Sequence, residues 1–563
     1  MARMSPAGIL KGLGMMVSRT SLPSAACIAA ATVLMCSFVW TASSTADETA
    51  TRDRRHRQLL EKRQLVYDGI QRDLETVVAW CTEHSLPDAI AQVEEIRQQL
   101  LTPTPDAKPS RLVIPPVDTT LSLEEQQWRL QILHHRQQRA SELYTLARSA
   151  LRAKFPSLAF SLVGDAVQLD PDHKYARSVL GQQVFIDSAR KDEAGYAGEW
   201  VSFFESQMRS GLKAQTFHPS FGWIPVTSVS KYEQGQRPWK GTWISEAKET
   251  ELRRDFRNAW EIPSEHFLIR TNVSLTAGVE LSQQLELFYG WLQQNFAAFF
   301  ETPQALQDRF EKAGQRSPQR QKPMEVHYFA SREEYQKRLE GKVPPNLETN
   351  GLYWEPERTS YFFASRDPND FSTLFHEATH QILDVHTMAA RTLAAKEKAR
   401  KEGQRSSSPW VLCEHSNFWV IEGLACYCES FKVVDGKVSI GQPDYVRFDT
   451  ARQRMLDPAF YFYLPTRLFF ELGKDEFQQH PQVSPLYTQA AGFTHFMMEY
   501  EDGLYRDDLI ALLAAIYRPD LKAVLDDPSL PKIAGVNCND FDHQYRTHMQ
   551  NLADQIAAQK SPE

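Results

Sequence analysis

Residues 371–386 read FSTLFHEATHQILDVH. Phe371, Leu374, Phe375, Ala378, Ile382 and Leu383 recur at the three- and four-residue spacing of a helix with a broad apolar surface, so the segment is predicted to be helical. His376 and His380 stand one turn apart on a common face. Two imidazoles at that spacing can bind one zinc ion, and Glu377 between them projects beside the metal, where its carboxylate can act as general base toward water. The plainer alternative is a helix whose histidines only pack, or pair with neighbouring carboxylates.

Two histidines leave a tetrahedron incomplete, so a third ligand is expected on another element. Glu422 is the leading candidate. It sits in NFWVIEGLACY, residues 417–427, where Phe418, Trp419, Ile421, Leu424 and Ala425 predict a second buried helix on which an unpaired carboxylate would be costly. Metal ligation removes that cost and leaves a fourth position open, as catalytic zinc requires. His386 lies six residues past His380 and off the shared face. His415, just before the Glu422 helix, stays open as a substitute ligand. The stretch between the two helices, with Lys396, Lys398, Arg400, Lys401 and Ser406 to Ser408, reads as an exposed loop.

With these residues in place the sequence resembles the gluzincin branch of zinc metallopeptidases, and more closely the peptidase MA-like domains of exported bacterial proteins of unknown function. The resemblance runs from about Pro263 to Ala553. It rests on HEATHQILD (His376 to Asp384) and WVIEGLACY (Trp419 to Tyr427), with a weaker likeness in YTQAAGFTHF (Tyr487 to Phe496). The first stretch is similar to the thermolysin helix, which also has an aspartate four residues after the second histidine, here Asp384. Thermolysin-like enzymes place another aspartate four residues beyond the ligand glutamate to support a histidine. This chain has Cys426 there, so the resemblance leaves that support to Asp384 or Glu429.

What the resemblance implies is an α+β, zincin-like domain that hydrolyses peptide bonds of a peptide or protein substrate. Zinc would be held by His376, His380 and Glu422, and Glu377 would serve as base and then as acid. An edge strand would pair with extended substrate, with Gly351 to Trp354 and Tyr361 to Phe363 as local candidates. Tyr487 and His495, both on a predicted helix beyond Glu422, are candidates for steadying the oxyanion.

Upstream of the helix, Gly351 to Trp354 and Ser360 to Ala364 read as a β-hairpin, and Asp367 to Asp370 as a turn and helix cap. A strand near His266 to Thr271, a long amphipathic helix from Leu275 to Phe300 and a strand at Val326 to Phe329 complete the mixed pattern of the expected domain, residues 263–553. Residues 186–262 form an aromatic and glycine-rich connector. Its Trp223, Trp239 and Trp243 are expected in turns and short strands, with a packing role favoured over a ligand groove.

Residues 47–185 are helical and broken by a proline-rich linker from Pro103 to Pro116. Leu143 to Pro171 within them resembles one tetratricopeptide repeat, with a plain helical hairpin as the alternative, so this all-α region is also a candidate site for a protein partner. Residues 1–46 carry Arg3, Lys11 and Arg19 before an uncharged apolar stretch from Leu22 to Ala42. They read as a signal peptide or a membrane anchor, placing the protein outside the cytoplasm as periplasmic, secreted or membrane-anchored.

The 563 residues exceed one ordinary core, and a net charge of −8 gives no reason to expect nucleic acid. Beyond Cys27 and Cys36 the cysteines are Cys81, Cys413, Cys426, Cys428 and Cys538, an odd and sparse set that makes no disulfide framework. The rival to a hydrolase is a scaffold protein in which the C-terminal domain is structural and the helical region recruits the partner. Glu377 argues against it, because a structural metal site has no use for a base.

Overall fold

The computed structural model describes residues 25–101, 120–193, 196–312, 322–343, 349–364, 371–434 and 437–560. The proline-rich linker, the Asp367 to Asp370 cap, and Arg3, Lys11 and Arg19 of the signal reading lie outside them. Among the described residues no helix is long and apolar enough to cross a membrane. The chain divides into a short unit, Met1–Thr51, and a compact one, Arg52–Glu563, which holds the elements described below, the first helix only from Arg52 onward.

Its helical layer is built from α1 (Ala25–Glu83), α2 (Pro87–Leu101), α3 (Leu123–Arg152) and α4 (Pro156–Leu169). Leu143, Leu146, Ala147, Ala159 and Ala166 are buried where α3 and α4 pack as a hairpin. α3 alone has 30 residues, close to the ~34 of an entire tetratricopeptide repeat. The core of this layer also takes in Ala297, Leu306 and Phe310 from beyond the connector. A fragment beginning near Pro263 would therefore expose apolar surface that the helical layer covers.

The connector is three tandem copies of one hairpin-and-helix unit. Strands β1 (Gln182–Phe185) and β2 (Glu199–Ser202) precede a helix at Phe203–Arg209; β3 (Gln215–His218) and β4 (Gly222–Pro225) precede one at Val229–Glu233; β5 (Gln236–Trp239) and β6 (Thr242–Ser245) precede one at Glu246–Arg253. Each second strand carries the same triplet, namely Trp200-Val201-Ser202, Trp223-Ile224-Pro225 and Trp243-Ile244-Ser245. Ser202 and Ser245 cap the following helices by accepting from the backbone N–H of Glu205 and Lys248. The helix of one unit meets the tryptophan of the next: the Phe204 and Trp223 rings are 5.9 Å apart, and Tyr232 and Trp243 6.0 Å. Trp223 and Trp243 thus pack successive units together.

The C-terminal half centres on a mixed α+β arrangement. A five-stranded sheet contains β7 (Trp260–Pro263), β8 (Phe267–Thr271), β9 (Met324–Phe329), β10 (Gly351–Trp354) and β11 (Thr359–Phe363), in the order β10-β11-β9-β8-β7. β9 runs parallel to both β8 and β11, while the two outer pairs are antiparallel. The expected boundary at residue 263 thus falls on the last residue of a sheet strand. Parallel neighbours need a crossover, and α5 (Leu275–Asn295) supplies it between β8 and β9. It lies so close that a Cβ at Gly278 would come within 2.2 Å of Ile262.

Against the same core lie α6 (Ser372–Lys401), α7 (Phe418–Cys428) and α8 (Val483–Glu499). α6 is longer than its apolar pattern suggests: Lys396, Lys398, Arg400 and Lys401, read from sequence as loop, form its last turns, where cations suit the helix C-terminus. The exposed, non-helical part of that stretch begins after Lys401 and includes Ser406 to Ser408. α7 and α8 cross at Gly423, where a Cβ would meet the Thr494 hydroxyl at 2.4 Å and the Ala490 carbonyl at 2.7 Å. Gly423→Ala should therefore force the helices apart and cost about 1–3 kcal/mol, read as a lower midpoint in chemical denaturation with an unchanged slope.

Candidate metal centre

α6 carries His376, Glu377 and His380, all half-buried, on the face turned away from Leu374, Phe375, Ala378 and Ile382, which sit in the core. α7 is buried along its whole length and brings Glu422, 9% exposed, to that face. Glu422 Oε2 lies 3.6 Å from His376 Nε2 and 3.9 Å from His380 Nε2. The ligand atoms of the three residues all lie within 4.8 Å of one another. Donors about 2.0–2.1 Å from a tetrahedral ion stand about 3.4 Å apart, so the cluster has the dimensions of one site.

The tautomer fits as well. His376 Nδ1 is 2.9 Å from Glu429 Oε1, an arrangement in which the ring donates from Nδ1 to the carboxylate and leaves Nε2 free to face Glu422. Glu429 is fixed in turn by Arg447, whose Nε and Nη2 donate to it at 2.8 and 2.9 Å, and by the Tyr445 hydroxyl at 3.1 Å. Burial would raise the Glu429 pKa, but His376 and Arg447 outweigh it and hold the carboxyl at about 2. Burial likewise opposes ionisation of Glu422, yet the His376 and His380 imidazoles beside it keep its pKa below the usual range.

Cys426 stands on the same side of His376 as Glu429, so that His376, Cys426 and Glu429 form a second candidate triad. Burial pushes the Cys426 thiol above its usual range, and the Glu429 carboxylate of this group is already held by Arg447 and Tyr445. This group is better read as the support behind His376. Cys81, Cys413, Cys426, Cys428 and Cys538 are all free.

Of the two carboxylates expected to support a histidine, Glu429 does so and Asp384 does not. Asp384 instead accepts from the Tyr353 hydroxyl and pairs with Arg391. His386 is engaged by the Tyr289 hydroxyl at 2.9 Å, away from the cluster. His415, the substitute ligand, has a side chain 69% exposed and lies beside Glu414, also outside it.

Tyr487 is half-buried on α8 and within electrostatic reach of Glu422, Cys426 and His376. His495, its fellow candidate, is misplaced for the chemistry. Eight residues further along α8, about 12 Å on, its ring is sealed in the core between Gly441 O at 3.0 Å and His548 Nε2 at 3.2 Å. Each ring nitrogen already has a partner, and none of its partners belongs to the cluster.

Glu377 points along the free edge of the sheet. Its Oε2 accepts from the backbone N–H of Tyr353 on β10 at 2.7 Å. Among the described residues β10 pairs with β11 alone, so its other edge, where Glu377 takes the Tyr353 N–H, carries no further strand. Glu429→Gln should loosen the His376 ring and lower metal affinity about 10- to 100-fold without unfolding the protein, as measured by competition with a chromogenic chelator. No family model, curated protein or solved structure matches the chain.

Proposed function

We propose that the C-terminal half is a zincin-like metallopeptidase of gluzincin type that hydrolyses peptide bonds. The observation that carries this reading is the convergence of His376, His380 and Glu422 within 4.8 Å, with Glu377 alongside on an open sheet edge. The donor set supports zinc: two imidazoles and one carboxylate are the ligands of catalytic rather than structural sites, which are closed by four side chains.

Bound zinc would supply Lewis acidity toward a carbonyl and toward water. The protein's own groups do the rest. The His376–Glu429–Arg447 chain fixes one ligand ring. The Glu377 carboxylate, which is not among the three ligands, takes a proton from the attacking water and returns it to the departing amine. The open edge of β10 gives an extended peptide backbone groups to pair with, and Tyr487 offers a hydroxyl near the ligands for the developing oxyanion.

Export, with the N-terminal segment acting as signal or anchor, and recruitment of a protein partner by the helical layer belong to the same reading. A mixed peptide library incubated with the zinc-loaded protein tests it. Cleavage that a chelator abolishes and added zinc restores is the expected result; a protein that binds zinc but cleaves nothing leaves the scaffold reading in its place.

A further inference from the structure

Glu377, Asp384 and Arg391 are spaced seven residues apart and so form one stripe down α6. Each meets the same neighbouring segment. Glu377 Oε2 accepts from the Tyr353 backbone N–H at 2.7 Å. The Tyr353 hydroxyl donates to Asp384 Oδ2 at 2.5 Å. Arg391 pairs with Asp384 and reaches Glu355, immediately after β10, at 2.9 Å. The edge strand is thereby fastened to the helix at three points spanning about 21 Å of its axis.

The chemistry of the middle point is informative. Asp384 and Arg391 are buried, with side chains 6% and 7% exposed. A buried ion pair seldom stabilises a fold more than apolar residues of the same volume would, so what this pair contributes is geometry. Besides each other, the two side chains of the pair hold the Tyr353 phenol, through Asp384, and the Glu355 carboxylate, through Arg391. The inner strands do not depend on it: Gln381, fully buried, donates to the carbonyls of Glu325 and Arg358 and accepts from the Ser360 hydroxyl. Gln381 thus ties α6 to β9 and β11, and β10, which pairs with β11, is tied to α6 directly through Tyr353 and Glu355.

Resting on the hydrolase reading, we infer that Tyr353 is a positioning residue whose phenol, locked by Asp384 and Arg391, sets the register of the open sheet edge against Glu377. A peptide added to that edge then presents its carbonyl at a fixed height beside the base. Without the lock the strand can shift along the helix, and a misplacement of about 1 Å is enough to cost up to a hundredfold in rate.

The test compares the full-length, zinc-loaded wild type with Tyr353→Phe and, should that change prove too mild, Asp384→Asn. Hydrogen exchange across residues 349–364 and steady-state peptide cleavage are measured, with Glu377→Gln as the inactive reference. In Tyr353→Phe, β10 amides should exchange about tenfold faster while α6 exchange and zinc content stay as in wild type. The kcat should fall about tenfold with KM changed less than about twofold, the split expected when docking survives and alignment is lost. The double variant Tyr353→Phe/Asp384→Asn should be no worse than Asp384→Asn alone, since the phenol acts only through the Asp384–Arg391 pair that Asp384→Asn already disrupts.

Unaltered exchange in both variants, or faster exchange with unaltered kcat, overturns the inference. If the wild type cleaves no peptide, the exchange data still decide the placement of β10, and it is the hydrolase reading that has failed.

Discussion

Glu377→Gln is expected to retain zinc near full occupancy while peptide hydrolysis falls at least about a hundredfold, some 2.7 kcal/mol of barrier. The two outcomes separate because Glu377 is near the cluster without belonging to it. The three atoms that converge come from His376, His380 and Glu422, and the substitution touches none of them. It also preserves the one contact that fixes the side chain, since a glutamine carbonyl oxygen accepts from the Tyr353 N–H as a carboxylate oxygen does. What the amide cannot do is take a proton. Elemental analysis after dialysis and a cleavage assay on the same preparation measure both quantities, and a fully active Gln variant would remove the basis for the hydrolase reading.

The parts of this site that are local in sequence were legible in it. His376, Glu377 and His380 sit on one helix, where spacing alone dictates that they share a face. Glu422 was recognisable because a carboxylate in an otherwise apolar helix needs a partner. The supporting groups were harder, since Arg447 and Tyr445 reach Glu429 from a separate segment and no periodicity links them. The same limit explains His495. A histidine in a helix near the site is as compatible with a core contact as with chemistry, and Gly441 O and His548 decide for the core.

Two features were present in the sequence in a form that composition hides. The heptad stripe Glu377, Asp384, Arg391 is visible once α6 is known to continue to Lys401, but the run of lysines and arginines there has the character of solvated loop. The threefold Trp-Val/Ile-Ser/Pro unit is masked by unequal turns. Residues 186–198 separate the strands of the first hairpin, whereas Lys240 and Gly241 suffice in the third. The sheet was legible strand by strand, because β8 alternates buried and half-buried residues from Phe267 to Thr271. Its order was not, since the crossover joining β8 to β9 in parallel depends on how α5 folds back over Ile262 and Ile269.

Glu422→Gln should fail in the opposite way to Glu377→Gln, through the metal rather than the proton. Glu422 supplies the only anionic donor of the three converging side chains, and its carboxyl stays ionised despite burial because His376 and His380 favour the charge. A neutral amide oxygen in its place keeps the shape and loses the charge, so metal affinity should drop by more than about a hundredfold, further than for Glu429→Gln, which only releases a supporting hydrogen bond. Activity should return in part when zinc is added in excess. Retention should also be pH-dependent. Burial works against a charged His376, but Cys426, Glu422 and Glu429 around it raise its pKa well above the ordinary value, so protons compete with the metal for the ring and affinity must fall as pH falls. Removing the Glu422 charge takes away one of these influences and should flatten this dependence. Chelator competition at several pH values reads both effects. If Glu422→Gln binds zinc as tightly as the wild type at every pH, Glu422 is not a ligand. His415, exposed beside Glu414, would then have to swing inward to complete the site, and substituting it would test that directly.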